Sequence, residues 1–249
     1  MYPPQSEADL VSRARELAGT TLGAIAARLG VDVPPDQRRA KGWVGTLVER
    51  ALGAAAGSRA QPDFEQIGVE LKTLPVDARG KPRESTFVCT IPLAEIGAVE
   101  WQRSRVRRKL ARVLWVPVQA QPALAMAERR VGEALLWSPD ADDEAVLRFD
   151  WEELAGRIGT GDVESISGHL GRFLQVRPKA ADSHARTRGF DADGAPLWTL
   201  PRGFYLRAAF TARILERHYR LPWPGEPAPR AAALARGEGD RGGRRRNRE

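Results

Sequence analysis

The segment Val69-Glu70-Leu71-Lys72-Thr73-Leu74 constrains this chain most, because its alternation fits a strand with a core on one side and a polar cleft on the other. Strand side chains alternate, so Val69 and Leu71 face inward while Glu70 and Lys72 project together from the opposite face. Asp63 lies one short turn upstream, with Gly68 between. Two carboxylates and an ammonium converging on one point suit a site that holds Mg²⁺ against a phosphodiester. The carboxylates are hard oxygen ligands. The lysine would stabilise developing negative charge or orient a water.

Spacing alone also fits a solvated strand edge carrying an ion pair. Lysine usage favours the site. Of 39 basic residues only Lys41, Lys72, Lys81, Lys109 and Lys179 are lysine, which leaves 34 arginines. Where arginine serves for generic charge, a retained lysine marks a place that needs a compact ammonium with an adjustable pKa.

With 249 residues, 42% hydrophobic and 29% charged, the chain is long enough for one large domain or two lobes around a real core. No apolar run approaches the roughly 20 residues that span a bilayer. The start, Met1-Tyr2-Pro3-Pro4-Gln5-Ser6, carries neither a basic nor an apolar leader region, so a cytoplasmic protein away from the membrane is expected. The single cysteine, Cys89, makes no internal disulfide, which fits a reducing compartment; it is expected as a small buried hydrophobe.

The net charge of +7 is uneven: Leu221 to Glu249 holds seven arginines and four acids, leaving +4 on the preceding 220 residues. That tail is rich in Pro, Gly, Ala and Arg, lacks periodicity, and is expected to be disordered. Its run Gly242-Gly243-Arg244-Arg245-Arg246 either touches phosphates nonspecifically or is simply solvated. The expected division is a folded unit over 1–220 and a tail over 221–249.

Before the tail, the signals are mixed α and β. Ser6 caps a helix to about Ala18, Thr21 starts one that Gly30 ends, and a third runs from about Gly42 to Ala56. On the third, Glu49 lies about 160° from the apolar stripe, on the open face. Strands are expected near Val69–Leu74, Ser85–Pro92, Val113–Val118 and Phe173–Val176, and further helices over Asp142–Ile158 and Ala208–Tyr219.

Two basic constellations suit nucleic acid. Arg103, Arg105, Arg107, Arg108, Lys109 and Arg112 are expected to fan over the exposed side of a helix whose buried side is Val106, Leu110 and Val113. Arg177-Pro178-Lys179 follows a strand, where the stiff Pro holds two long donors at a fixed angle; Arg202 and Tyr205 are expected in a similar loop. His169, His184 and His218 lack metal-ligand spacing, and no phosphate-binding nucleotide loop is present, so the chain is expected to bind no nucleotide itself.

Beyond these local patterns, ordered blocks resemble the MutH family of DNA mismatch-repair endonucleases. They are Lys41-Gly42-Trp43-Val44-Gly45, Ala56-Gly57-Ser58, Asp63-Phe64, Gly68-Val69-Glu70-Leu71-Lys72-Thr73, Thr86-Phe87-Val88-Cys89, Val113-Leu114-Trp115-Val116-Pro117-Val118, Arg177-Pro178-Lys179-Ala180 and Leu200-Pro201-Arg202-Gly203-Phe204-Tyr205-Leu206. They span about residues 5 to 220. The resemblance implies a restriction-endonuclease-like α/β fold, a mixed sheet flanked by helices with two lobes around a DNA cleft. It implies Mg²⁺-dependent nicking of the unmethylated strand at hemimethylated GATC sites by a monomer that MutL activates, with MutS acting through MutL. By the same resemblance Asp63, Glu70 and Lys72 are the catalytic core, Glu49 is a further carboxylate and metal ligand with Asp63 and Glu70, and Lys109 is a second cleft lysine. Arg177, Pro178 and Lys179 would read GATC, Tyr205 would sit near the adenine, Phe87 would wedge against the bases and Lys41 would support the DNA side. The extension after Leu221 has no counterpart in this pattern.

Two other functions fit parts of the chain. One is a GATC-specific restriction endonuclease cutting both strands, although such enzymes often carry an extra domain. The other is a non-catalytic DNA-binding regulator, since Thr21 to Val31 looks like the first half of a helix-turn-helix; Pro34-Pro35 makes its short turn awkward.

Overall fold

Three capped helices open the fold. In the computed structural model, which describes residues 2–35, 42–54, 61–180 and 184–219, α1 covers Glu7–Leu17 and the Ser6 hydroxyl accepts the Asp9 N–H at 3.1 Å. In α2 (Leu22–Leu29), Thr21 caps the start in the same way and Gly30 closes the end. α3 (Trp43–Leu52) stops earlier than its periodicity suggested. The Gly53 N–H turns back onto the Arg50 and Glu49 carbonyls, which ends the helix before Ala56. Lys41, the 56–58 block and the tail from 221 lie outside the described residues.

The alternating segment from Val69 to Leu74 runs into β1 (Glu70–Val76), an edge strand parallel to β3 (Val113–Gln119), with Glu70 opposite Val113. β3 also pairs antiparallel with β4 (Leu135–Trp137), a three-residue strand too short to show in periodicity. β3 is apolar on both faces and feeds two hydrophobic clusters. Val113 and Trp115 enter one; Leu114, Val116 and Val118 enter the other, with α1, α2 and α3. A strand buried on both faces reads as a continuous apolar run, as this one does. Along β1 the even-numbered face changes character: Glu70 and Lys72 come first, then Leu74 and Val76 enter the first cluster.

A second sheet is antiparallel, in the order β2 (Thr86–Thr90), β8 (Arg202–Leu206), β5 (Leu174–Pro178). Arg202 and Tyr205, expected in a loop, lie on its central strand. Pro201 and Gly203 made the segment look like a turn, yet Pro201 precedes the first strand residue and pairing on both sides overrides weak local propensity. Phe204 and Leu206 fill the first cluster, so Gly203 and Tyr205 face outward. α4 (Arg105–Leu110), α5 (Ala141–Gly159) and α6 (Ala208–Tyr219) complete the scaffold, and β6 (Thr187–Phe190) and β7 (Pro196–Thr199) form a separate hairpin.

α5 sets the position of β5. Its Asp150, fully buried, accepts backbone N–H bonds from Arg172, Phe173 and Leu174 at 2.6–2.9 Å. Three donors compensate a charge that would otherwise be costly inside. After α2, residues 31–35 form no helix, and Thr21 bridges to Arg130, so α2 is a core element rather than the front of a helix-turn-helix. No helix among the described residues is long and apolar enough to cross a membrane.

Candidate active site

Backbone geometry brings Asp63 to β1. Phe64 and Val69 exchange N–H···O=C bonds at 2.9 and 3.3 Å, folding the segment back across a short 3-10 turn. As an edge strand, β1 has donors that no sheet neighbour takes, and the Leu71 N–H finds the Asp63 carboxylate at 2.9 Å. The aspartate is thereby fixed beside the residue between Glu70 and Lys72.

Glu70 is 1% exposed and holds both lysines. Lys72 Nζ donates to one carboxylate oxygen, and Lys109 Nζ to the other at 2.8 Å. Lys109 also donates to the Gln61 carbonyl at 2.7 Å. This corrects the picture of six cations fanned over a helix surface. Lys109 points inward, Arg107 pairs with Glu144 at 2.9 Å, and Arg112 grips Glu7 with two bonds of 2.6 and 2.8 Å. Arg103, Arg105 and Arg108 stay exposed.

Glu49 reaches the same place from the open face of α3, as helical spacing suggested. Burial raises its pKa above the ordinary carboxylate value, and the charges of Asp63 and Glu70 push it further, against the pull of Lys72 and Lys109. Burial also raises Glu70; Lys72 and Lys109 oppose that rise, and Asp63 adds to it. Among the described residues no three His, Cys, Asp or Glu side chains form a ready metal cage. The donors still suit Mg²⁺, which is commonly held by one or two carboxylates with phosphate and water completing its shell. The mutual repulsion that raises Glu49 is what a divalent cation would relieve.

The outward face of the second sheet gathers the other predicted residues. Phe87 lies opposite Tyr205, and their rings meet edge-on with centroids 5.3 Å apart. Lys179 Nζ stands 4.6 Å above the Phe87 ring, and the Arg177 guanidinium 6.0 Å from that of Tyr205. Arg177 also donates to Ser85 Oγ at 2.7 Å. Gly203 makes this arrangement possible: a Cβ there would come within 2.9 Å of the Phe87 ring and 3.2 Å of the Cys89 carbonyl. Arg177 and Pro178 complete β5, and the Lys179 N–H donates to the Pro201 carbonyl at 2.7 Å. Cys89 is buried, and burial pushes its thiol up to about 12, so it acts as the inert hydrophobe expected. Lys81 is exposed in a turn closed by Asp77.

Ser85 and the Gln61 carbonyl, which hold Arg177 and Lys109, carried no spacing signal. Neither did Asp150, whose role rests on backbone groups more than twenty residues away.

A buried carboxylate clasped by two lysines, with the Asp63 and Glu49 carboxylates close enough to act on its charge, is an arrangement that suits a metal-dependent nuclease. Comparison with known proteins gives the family. Residues 52–150 match the family described as DNA mismatch repair enzyme MutH. The chain is 53% identical over 219 residues to the DNA mismatch repair protein MutH of Klebsiella pneumoniae (strain 342), an alignment covering 88% of this chain and 95% of that protein. It is likewise 53% identical over 224 residues to the protein of the same name from Salmonella paratyphi C (strain RKS4594), covering 90% and 97%. The chain belongs to the MutH family and is a DNA mismatch-repair endonuclease.

Proposed function

We propose that this endonuclease nicks the unmethylated strand of hemimethylated GATC duplexes with Mg²⁺, as a cytoplasmic monomer activated by MutL, with the two sheets lining a DNA cleft between two lobes. The observation that carries the reading is the group of four side chains around β1: Asp63 fixed on the Leu71 N–H, and Glu70 held by Lys72 and Lys109. β2 links this group to the reading face. Its Phe87 belongs to the aromatic pair, and its Cys89 feels the charges of Lys72, Lys109 and Glu70.

Glu70, Asp63 and Glu49 would hold the metal, which when bound supplies Lewis-acid polarisation of the scissile phosphate. Lys72 and Lys109 hold Glu70 in place and favour its charged form against the burial that raises its pKa, and an ammonium released from it would face the charge that develops on phosphate. Arg177 and Lys179 offer donors to guanine O6 and N7. Tyr205 would monitor the adenine N6, where a methyl removes a donor and takes up space. One catalytic unit on a monomer cuts one strand, which favours nicking over cleavage of both strands.

The test is metal-dependent nicking of a GATC duplex by Asp63→Ala and Glu70→Ala. Both should lose nicking and keep DNA binding, because removing a carboxylate reduces repulsion of phosphate. Near-normal nicking by either variant would remove that residue from the site.

A further inference from the structure

The β6–β7 hairpin has an outer face that the proposed site leaves unused. Register places Arg188 directly opposite Trp198. Trp198 is 66% exposed, and the Arg188 guanidinium lies 5.6 Å from the Phe190 ring on the same face. Aromatic residues and arginine, the two types side by side here, are enriched where surfaces meet.

The hairpin is firmly seated. On its inner face, the position of a Gly189 Cβ is 3.5 Å from Leu93, and buried Thr199 donates its hydroxyl to Glu164 at 2.5 Å. Glu164 in turn pairs with Arg202 of β8 at 3.2 Å. The turn rests on Gly161, whose φ is +81° and where a Cβ would fall 2.1 Å from the Asp191 carbonyl carbon. Asp191 spends its carboxylate on the Asp193 and Ala195 N–H groups. At the root, the Lys179–Pro201 bond ties the hairpin to the C-terminal end of β5.

We propose that the outer face of this hairpin, with Arg188 and Trp198 side by side, grips duplex DNA on the flank beyond the Arg177–Lys179 segment at the end of β5. The proposal rests on the DNA-cleft reading above. Three observations favour nucleic acid as the occupant. The outer residues of the two strands, Arg188, Phe190, Pro196 and Trp198, include a cation and no acid; the acids are confined to the turn. Pro201, at the root of the hairpin, bonds the Lys179 N–H just past the end of β5, which carries Arg177. Both surfaces also turn their backs on one cluster, which contains Leu93, Val176 and Phe204. Four residues of strand extend about 13 Å, on the order of four base-pair steps. The guanidinium would take a phosphate, and the indole would pack against the sugar edge or wedge into the groove. A preformed hairpin does this without an ordering cost.

Binding of full-length wild type, Trp198→Ala and Arg188→Ala to GATC duplexes with either flank cut back to about two base pairs tests this. The variants should bind the fully flanked duplex about tenfold more weakly than wild type and match wild type when one particular flank is shortened. Arg188→Ala should also lower the salt slope by about one. Wild-type binding by both variants on all duplexes overturns the proposal. So does an equal loss on every duplex, which would mean a structural role. Loss of MutL-stimulated nicking alone, with DNA binding intact, also overturns it and assigns the face to a protein partner. A wild type whose affinity depends on flank length but not on GATC would sink the recognition reading and leave the hairpin standing.

Discussion

Charge economy explains the site at the scale of single residues. Two ammonium groups share one buried carboxylate, an arrangement that suits compact point charges rather than a planar fork. Lys72→Arg should therefore lose about 100-fold in nicking rate, although charge is conserved, while Lys81→Arg in its exposed turn should match wild type. Equal behaviour of the two variants in a nicking assay would end the argument from lysine scarcity. Glu49 carries a stability cost. Its pKa is raised in the folded protein, so its stabilising contribution is present below its unfolded value of about 4.5 and is lost as pH rises through the folded value. Glu49→Gln should accordingly raise Tm at neutral pH, with the gain vanishing below about pH 4. If Glu49 holds the metal as proposed, Mg²⁺ should raise Tm of the wild type, and the same substitution should remove that increase. A variant that melts earlier than wild type at neutral pH would contradict this.

At the scale of elements, legibility followed locality. Caps and periodicity declared α1, α2 and α5, and the Val69–Leu74 alternation declared β1 with both site residues on one face. Lys109 was legible as a residue to watch but not as an inward one, because its partners lie 39 and 48 positions away. β8 was misread as a loop for the same reason: its strand character comes from neighbours on both sides, not from Arg202 and Gly203 themselves. That sheet now dictates where specificity belongs. Lys179 is pinned by its backbone bond to Pro201 and stands over Phe87, and on the proposed function it contacts a base edge. Lys179→Ala should cost about 1–3 kcal/mol of discrimination between GATC and single-base variants. Tyr205→Phe should leave that discrimination intact and change the ratio of cleavage on unmethylated and methylated strands. Competition cleavage on a small duplex panel separates the two roles; a loss of GATC preference in Tyr205→Phe alone would exchange them.

Across the whole molecule, β1 and β3 form a wall between two hydrophobic clusters, and the catalytic end of β1 lies where its polar face has not yet entered the first of them. The second sheet, packed on that first cluster, turns Phe87, Tyr205, Arg177 and Lys179 outward. On the function proposed above, chemistry and sequence reading would stand on different sheets joined through a shared core, where one duplex would meet both. The measurement that tests this account most directly is strand-resolved cleavage of unmethylated, hemimethylated and fully methylated GATC duplexes with Mg²⁺, with and without MutL. The account predicts nicks confined to unmethylated strands, none on the fully methylated duplex, and faster nicking with MutL. Equal cutting of methylated and unmethylated strands, or concerted cleavage of both strands of the hemimethylated duplex, would contradict it.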